Sequence, residues 1–434
     1  MVGLAHFRVR FDSMAFFSSN SVPGIEIPRF TRTEVDFIPF FLPPTFNMGS
    51  LSDSPSGQLF TIEDAPGAGR GVFATRDLSA GETVHIADDL SVHVLFREYR
   101  GEICYNCFAY DLGGKQPIKD AMHGIAFCSK QCQLKFTLQC DELCMAARAV
   151  VEKLIRMKAT SNQHSDTLLG VRPTPKEIGI AWNTAETQAP LIRSARLSVI
   201  PGPDTLPATK PQLRALQRAL STPVCPDVLT FLLTVVLANY NTHKTSPFPS
   251  PISSPAQQPL QDSPPLLSLL SPSLSGLESE PTPYLSPHEL SEYTTSYLHL
   301  VSILPLPLLP FISPSLLHTT KSRETHNSFG IRSLEDEGSE FFGYGVWPSA
   351  SYFNHSCEPN LVRGREGRGW VFRTGNRVEK GEQLYISYVN GGSGELTSGS
   401  GGVIGREERR GLLRRTWGFE CACGKCRGEE GGGV

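Results

Sequence analysis

Apolar residues recur at helical spacing over 142–158, where Leu143, Ala146, Val150, Leu154 and Met157 share one face. The same spacing predicts helices over 211–220 and 227–240. Upstream the period changes. Short runs at 58–62, 72–75, 83–86 and 90–95 read as strands, punctuated by Ala68-Gly69-Arg70-Gly71 and by a turn over 77–82. Short β elements broken by glycine and followed by helices point to an α+β chain of small sheets, not to a doubly wound parallel sheet.

Two tracts carry no usable period. Residues 1–56 mix Pro, Ser and Phe and are expected to form a disordered arm. Residues 245–325 are rich in Pro, Ser and Leu, and each proline removes a backbone donor, so a low-complexity, disordered insertion is expected. It reads as a surface loop, or as untranslated sequence retained in the reading frame. Its most apolar stretch, 298–317, contains Pro305, Pro307, Pro310 and Pro314, which argue against a membrane-spanning helix. The N-terminus lacks the charged start, apolar core and cleavage site of a secretory leader.

Charge and cysteine then narrow the chemistry. A formal net charge of -3 gives no global attraction to nucleic acid or anionic lipid. Of the 11 cysteines, all but Cys225 fall between Cys104 and Cys144 or in the set Cys357, Cys421, Cys423 and Cys426. That grouping is unlike a secreted disulfide framework and points to zinc in a reducing compartment, the nucleus and/or the cytoplasm.

The stretch 104–144 resembles a MYND zinc finger, through Cys104-x-x-Cys107 and Phe127-Cys128-Ser129-Lys130-Gln131-Cys132-Gln133. The family has a second C-x-x-C before the F/Y-C, and residues 115–126 contain no cysteine. The resemblance therefore implies one complete site from Cys104, Cys107, Cys128 and Cys132. Cys140 and Cys144 are left as half a site, either completed by His123 or simply buried thiols. It also implies capture of a proline-containing peptide by the finger.

Three later blocks carry the second resemblance: Asn354-His355-Ser356-Cys357-Glu358-Pro359-Asn360, then Gly381-Glu382-Gln383-Leu384-Tyr385-Ile386-Ser387-Tyr388, then Phe419-Glu420-Cys421-Ala422-Cys423-Gly424-Lys425-Cys426. In that order they resemble the SET-domain protein lysine methyltransferases, and with the finger the SMYD branch of that family. The implied fold is α+β, with small curved sheets around a pseudoknot, an inserted MYND-like finger and a helical insert. The implied boundaries are a split SET domain over 57–390, the finger at 104–144, inserted helices at 145–244, the core resuming at 326–390, and a post-SET zinc cluster at 405–428.

Such an enzyme takes its methyl group from S-adenosylmethionine and places it on a lysine of a histone or another protein. The resemblance assigns Gly69, Arg70 and Gly71 to the cofactor turn, Asn354 and His355 to cofactor contacts, and Phe419 to stacking on the adenine. Tyr388 matches the catalytic tyrosine, Trp417 lines the lysine channel, and Cys357 completes the zinc set of Cys421, Cys423 and Cys426. Chemically, an amine with a solution pKa of about 10.4 must lose its proton and meet the methyl carbon in line, which suits a narrow aromatic channel between two entrances.

The basic run with Arg409, Arg410 and Arg414 reads as a solvated helix face or as a docking surface for acidic partners. Basic clusters elsewhere are too few for direct nucleic-acid binding. A monomer without membrane association is expected. The chain stops soon after the last cysteine block, so no helical C-terminal domain is expected, and substrate selection falls to the finger and inserted helices. The rival is a non-catalytic zinc-stabilised interaction scaffold, which has no physical need for Asn354, His355, Tyr388 and Phe419 together.

Overall fold

The computed structural model describes residues 59–159, 171–199, 206–245, 272–334, 340–389 and 405–429, so the expected N-terminal arm lies outside it. Among the described residues twelve short strands form the frame. β1 (Phe60–Asp64) and β2 (Arg70–Ala74) make an antiparallel hairpin, closed by Ala65 N–H donating to Gly69 O at 2.7 Å. In the same sheet β12 (Gln383–Ile386) pairs with β2 and, in parallel, with β9 (Asn354–His355). That last pairing sets Tyr385 opposite Asn354 and Ile386 opposite His355, so two of the sequence blocks lie side by side.

A second sheet has the order β10-β11-β3, from Leu361–Glu366, Gly369–Thr374 and Thr83–Ala87, and a third joins β4 (Val92–Leu95) to β8 (Phe341–Val346) and β7 (Ser328–Arg332). β5 (Ile118–Asp120) and β6 (Ile125–Phe127) form the hairpin of the cysteine-rich insert. These are the small sheets of the expected α+β fold, and one buried core joins them to the helices.

Helix α1 (Lys130–Gln139) closes the insert, and α2 (Glu142–Lys158) runs over the residues its period predicts, capped by Asp141 accepting from Cys144 N. Then α3 (Pro175–Leu197), α4 (Lys210–Ser221) and α5 (Pro226–Thr245) follow. The long α3 escaped the apolar pattern because half of its buried face, Ile178, Trp182, Ala185, Ala189, Ile192 and Ala195, is alanine and the helix contains Pro190. A signal for its start went unread: Thr174 and Glu177 form a capping box on either side of Pro175 at the first turn.

The expectation of a disordered insertion over 245–325 is corrected for its described part. After α6 (Pro272–Ser275), α7 (Pro287–Ile303) and α8 (Pro314–Asn327) flank a 3-10 turn over Leu306–Phe311. The prolines of the two α-helices stand at their first positions, and Pro310 lies within the 3-10 turn. Pro287 and Pro314 open α7 and α8 behind the caps Ser286 and Ser313, where a missing N–H costs nothing, and Pro305 follows the end of α7.

The carbonyls left over at the end of α7 are met by α3, whose Arg196 donates to Val301 O at 2.7 Å and to Leu304 O. Leu290, Tyr293, Tyr297, Leu300 and Leu304 fall at helical spacing and are buried, as is Leu317. No helix among the described residues is long and apolar enough to cross a membrane. Leu317→Ala is expected to lower stability by about 2–5 kcal/mol, read as a fall in the urea midpoint. An unchanged midpoint would mean that this tract does not pack.

The insert also reaches the site. Gly276 O accepts from the Arg70 guanidinium, Asn327 Nδ2 donates to Glu278 O at 3.0 Å, and Ser351 Oγ donates to Asn327 O at 3.2 Å. α8 runs directly into β7.

Candidate active site and zinc clusters

In the finger, Cys104 and Cys107 come from a tight loop, Cys128 follows β6, and Cys132 lies in the first turn of α1, whose cap Ser129 accepts from Cys132 N at 3.2 Å. Their four sulfurs lie within 4.8 Å of one another, with Cys107 to Cys128 at 3.6 Å and Cys128 to Cys132 at 3.5 Å. Tetrahedral zinc with Zn–S bonds of about 2.3 Å sets its sulfurs about 3.8 Å apart, whereas a disulfide needs about 2.05 Å. The cluster therefore fits a zinc ion and not a bridge.

Cys140 and Cys144 do not join a metal site among the described residues, which corrects their assignment as ligands. Cys144 is buried and faces Asn241 Oδ1 at 3.9 Å; burial, with the Asp141 carboxylate adding to it, pushes its thiol up to about 12. His123, the candidate to complete that site, is paired with Asp120 at 2.7 Å.

The second cluster joins distant segments. Cys357, just after β9, lies 3.8 Å from Cys421 and 3.6 Å from Cys426, and Cys423 completes the group within 4.8 Å. In each cluster one sulfur is held below the usual thiol range by a neighbour's S–H, Cys104 by Cys107 and Cys421 by Cys357, which suits thiolate ligation.

Helix α9 (Arg406–Trp417) packs beside this cluster, and α10 (Gly424–Gly428) carries Cys426. The basic run belongs to it. Arg409 is 2% exposed, approaches Cys426 Sγ at 3.9 Å and pairs with Glu429 at 2.5 Å, while Arg410 and Arg414 both pair with Glu420. Much of that charge braces the cap and does not form an open docking face.

Between the clamp and the sheet lies an aromatic cage. Gly418, at φ +74, ends α9 in the left-handed region and so turns Trp417 and Phe419 toward Tyr388. Ring centroids are 5.4 Å apart for Tyr388 and Trp417, 6.3 Å for Tyr388 and Phe419, and 6.1 Å for His355 and Phe419. Tyr388 O–H donates to Phe353 O at 2.9 Å, and burial, opposed by the Arg363 charge, pushes the phenol up to about 12.

His355 is a strut. Its Nδ1 accepts from Tyr388 N–H at 3.0 Å, which leaves the proton on Nε2 to donate to Cys357 Sγ at 3.3 Å. Its ring nitrogens are thus both committed to holding the tyrosine and the clamp together.

On the other flank, Asn354 Nδ2 donates to Arg70 O at 2.9 Å, tying β9 to the glycine turn, and Arg70 sits 4.9 Å over the Tyr352 ring. A Cβ on Gly71 would lie 2.2 Å from Gln383 Nε2 and 3.0 Å from Asn354 Nδ2, so a side chain there would have to displace the Gln383 amide. The structure thus gathers Arg70, Gly71, Asn354, His355, Tyr388, Trp417, Phe419 and Cys357 from four parts of the chain. Gly69 stands at the turn itself, at φ +67.

Tyr385, three residues before Tyr388, bonds back to Gln383 Oε1 at 2.7 Å and stays outside the cage. Sequence reasoning passed over Asn360, which donates to Gln383 O at 2.9 Å and accepts from Tyr385 N at 2.8 Å. Its place as the last residue of the first block was the signal.

The SET domain family profile matches residues 69–389 of this chain. The chain is 36% identical over 129 residues to a yeast (Saccharomyces cerevisiae) protein described as a potential protein lysine methyltransferase, SET6, covering 29% of this chain and 32% of that one. It is 35% identical over 117 residues to a SET and MYND domain-containing protein of Dictyostelium discoideum, covering 27% and 26%. It is 34% identical over 104 residues to the mouse (Mus musculus) histone-lysine N-methyltransferase SMYD3, covering 24% and 21%. The alignments thus span at most 32% of any of these three relatives.

Proposed function

Because this chain belongs to the SET-domain family, as the match over residues 69–389 establishes, we propose that it transfers a methyl group from S-adenosylmethionine to the side-chain amine of a lysine in a protein substrate, a histone or another protein. One observation carries the reading: the Tyr388 phenol stands in a cage of His355, Trp417 and Phe419, beside the Arg70–Asn354 contact and clamped by Cys357.

The residues present fit the donor. Gln383 Nε2 and Ser387 Oγ are buried without a hydrogen-bond partner among the described residues, and Gln383 Nε2 lies against Gly71, where a polar ligand could satisfy it. The Asn354 side chain, the backbone around Gly71 and the Phe419 ring would hold it. When bound, S-adenosylmethionine supplies the electrophilic methyl group.

The protein's own residues do the rest. Tyr388 is a neutral phenol at physiological pH, as a tyrosine ordinarily is and burial reinforces, so it orients the acceptor and does not serve as its base. Its bond to Phe353 O fixes the ring, and the Trp417 and Phe419 faces exclude water while tolerating a cationic or neutral amine. Each cluster would take one zinc, structural in the finger and site-forming at Cys357. A monomer, a nuclear or cytoplasmic location and a proline-containing partner peptide at the finger go with this reading.

Calorimetric titration with S-adenosylmethionine, followed by transfer of labelled methyl to histones and cell extract, tests it. Binding and transfer are expected from the unaltered protein, and Asn354→Ala is expected to weaken cofactor binding by about tenfold, as lost buried hydrogen bonds do. Absence of both binding and transfer would favour the non-catalytic scaffold instead.

A further inference from the structure

One side chain beside the glycine turn has only half of its polar group in use. Gln383 opens β12 and pairs with Phe73 of β2, so its side chain stands diagonally from Gly71 on the same face of the sheet. Its Oε1 accepts the Tyr385 hydroxyl at 2.7 Å, and its backbone carbonyl accepts Asn360 Nδ2 at 2.9 Å. Both bonds fix the residue. Nε2, by contrast, is buried with no partner among the described residues, and a buried N–H left unmet is costly unless a ligand supplies the acceptor.

The geometry says where that acceptor would sit. Gln383 Nε2 lies 2.2 Å, and Asn354 Nδ2 3.0 Å, from the point that a Cβ on Gly71 would occupy, so two amide N–H groups converge over a residue without a side chain. Asn354 gives one hydrogen to Arg70 O at 2.9 Å and keeps the other. Arg70 itself brings a guanidinium to the same turn, 4.9 Å over the Tyr352 ring. Glu63, opposite Gly71 on β1, is exposed and bonds to neither amide. The turn thus offers N–H groups and positive charge to an anion.

We propose that Gln383 recognises the cofactor by its carboxylate: the Nε2 amide, converging with that of Asn354 over Gly71, binds the carboxylate of the methionyl part of S-adenosylmethionine. This rests on the methyl-transfer reading. The carboxylate is the cofactor's one anionic group and accepts through two oxygens, so it can meet two converging N–H groups at once, whereas the ammonium beside it has no lone pair to offer. Tyr385, which stays outside the cage, gains a positioning role. By holding Oε1 it turns Nε2 toward Gly71.

The test is calorimetric titration with S-adenosylmethionine and with decarboxylated S-adenosylmethionine, which keeps the sulfonium, amine, ribose and adenine and lacks only the carboxylate. The unaltered protein is expected to bind the full cofactor at least about tenfold more tightly than the decarboxylated one. Gln383→Ala is expected to weaken the full cofactor about tenfold and to leave the decarboxylated one within about twofold. Gln383→Glu keeps an acceptor for Tyr385 but sets a like charge against the carboxylate, so a loss of about a hundredfold is expected for the full cofactor alone.

A merely structural role for Gln383 would weaken both ligands alike. Equal loss for both, loss for neither, or no preference for the carboxylate in the unaltered protein overturns the inference. Should Gln383→Ala not fold, Gln383→Glu decides by the same comparison, and should neither fold, the preference of the unaltered protein decides alone. Absence of binding of either ligand to the unaltered protein contradicts the methyltransferase reading first and removes the inference with it.

Discussion

Cys357→Ser is expected to cost the protein one of its two zinc ions, its binding of S-adenosylmethionine and at least about a hundredfold in methyl transfer. Cys421, Cys423 and Cys426 come from one short loop, and the fourth sulfur reaches them from the other side of the site at 3.6 to 3.8 Å. Without it the hold on Phe419 and Trp417 weakens, because the His355 strut itself ends on Cys357 and what remains is ring contacts to Tyr388 and His355 and the packing of α9 on α8. Metal analysis should fall from about two zinc ions per chain to about one, the finger keeping its own. A variant that keeps both metals and full activity would show that the clamp is dispensable.

Tyr388→Phe is the complementary case. The ring survives, so its packing on Trp417 and Phe419 persists, but the hydroxyl that meets Phe353 O is lost. An expected loss of about 10²–10³ in kcat follows from removing one oriented polar group at a reacting centre, with cofactor binding and zinc content unchanged. If cofactor binding fell as far as kcat, the hydroxyl would be holding the donor pocket and not the acceptor.

These residues were unusually legible in sequence, and the reason is physical. Asn354, His355 and Cys357 are close in the chain because one short strand must present an amide to Arg70, a ring to Tyr388 and a sulfur to the metal. Tyr388 was separable from Tyr385 by its distance from Gly381, and the structure sends Tyr385 back to Gln383.

The helical insert was read poorly. Proline density over 245–325 suggested disorder, yet Pro287 and Pro314 follow serine caps, and the burial of Tyr293, Tyr297 and Leu300 depends on partners in α3 and α5 that no local pattern displays. Cys140 and Cys144 misled for the converse reason. The resemblance left them open between half a metal site and buried thiols, and only the folded chain shows that among the described residues no cluster of candidate ligands includes them.

The most direct measurement is high-resolution mass spectrometry of lysines in a protein substrate after incubation with the zinc-loaded protein and isotopically labelled S-adenosylmethionine. The account predicts label on a lysine side chain with the unaltered protein, and almost none with Tyr388→Phe. Label appearing equally with both, or with neither while the protein is folded and holds both zinc ions, would contradict it.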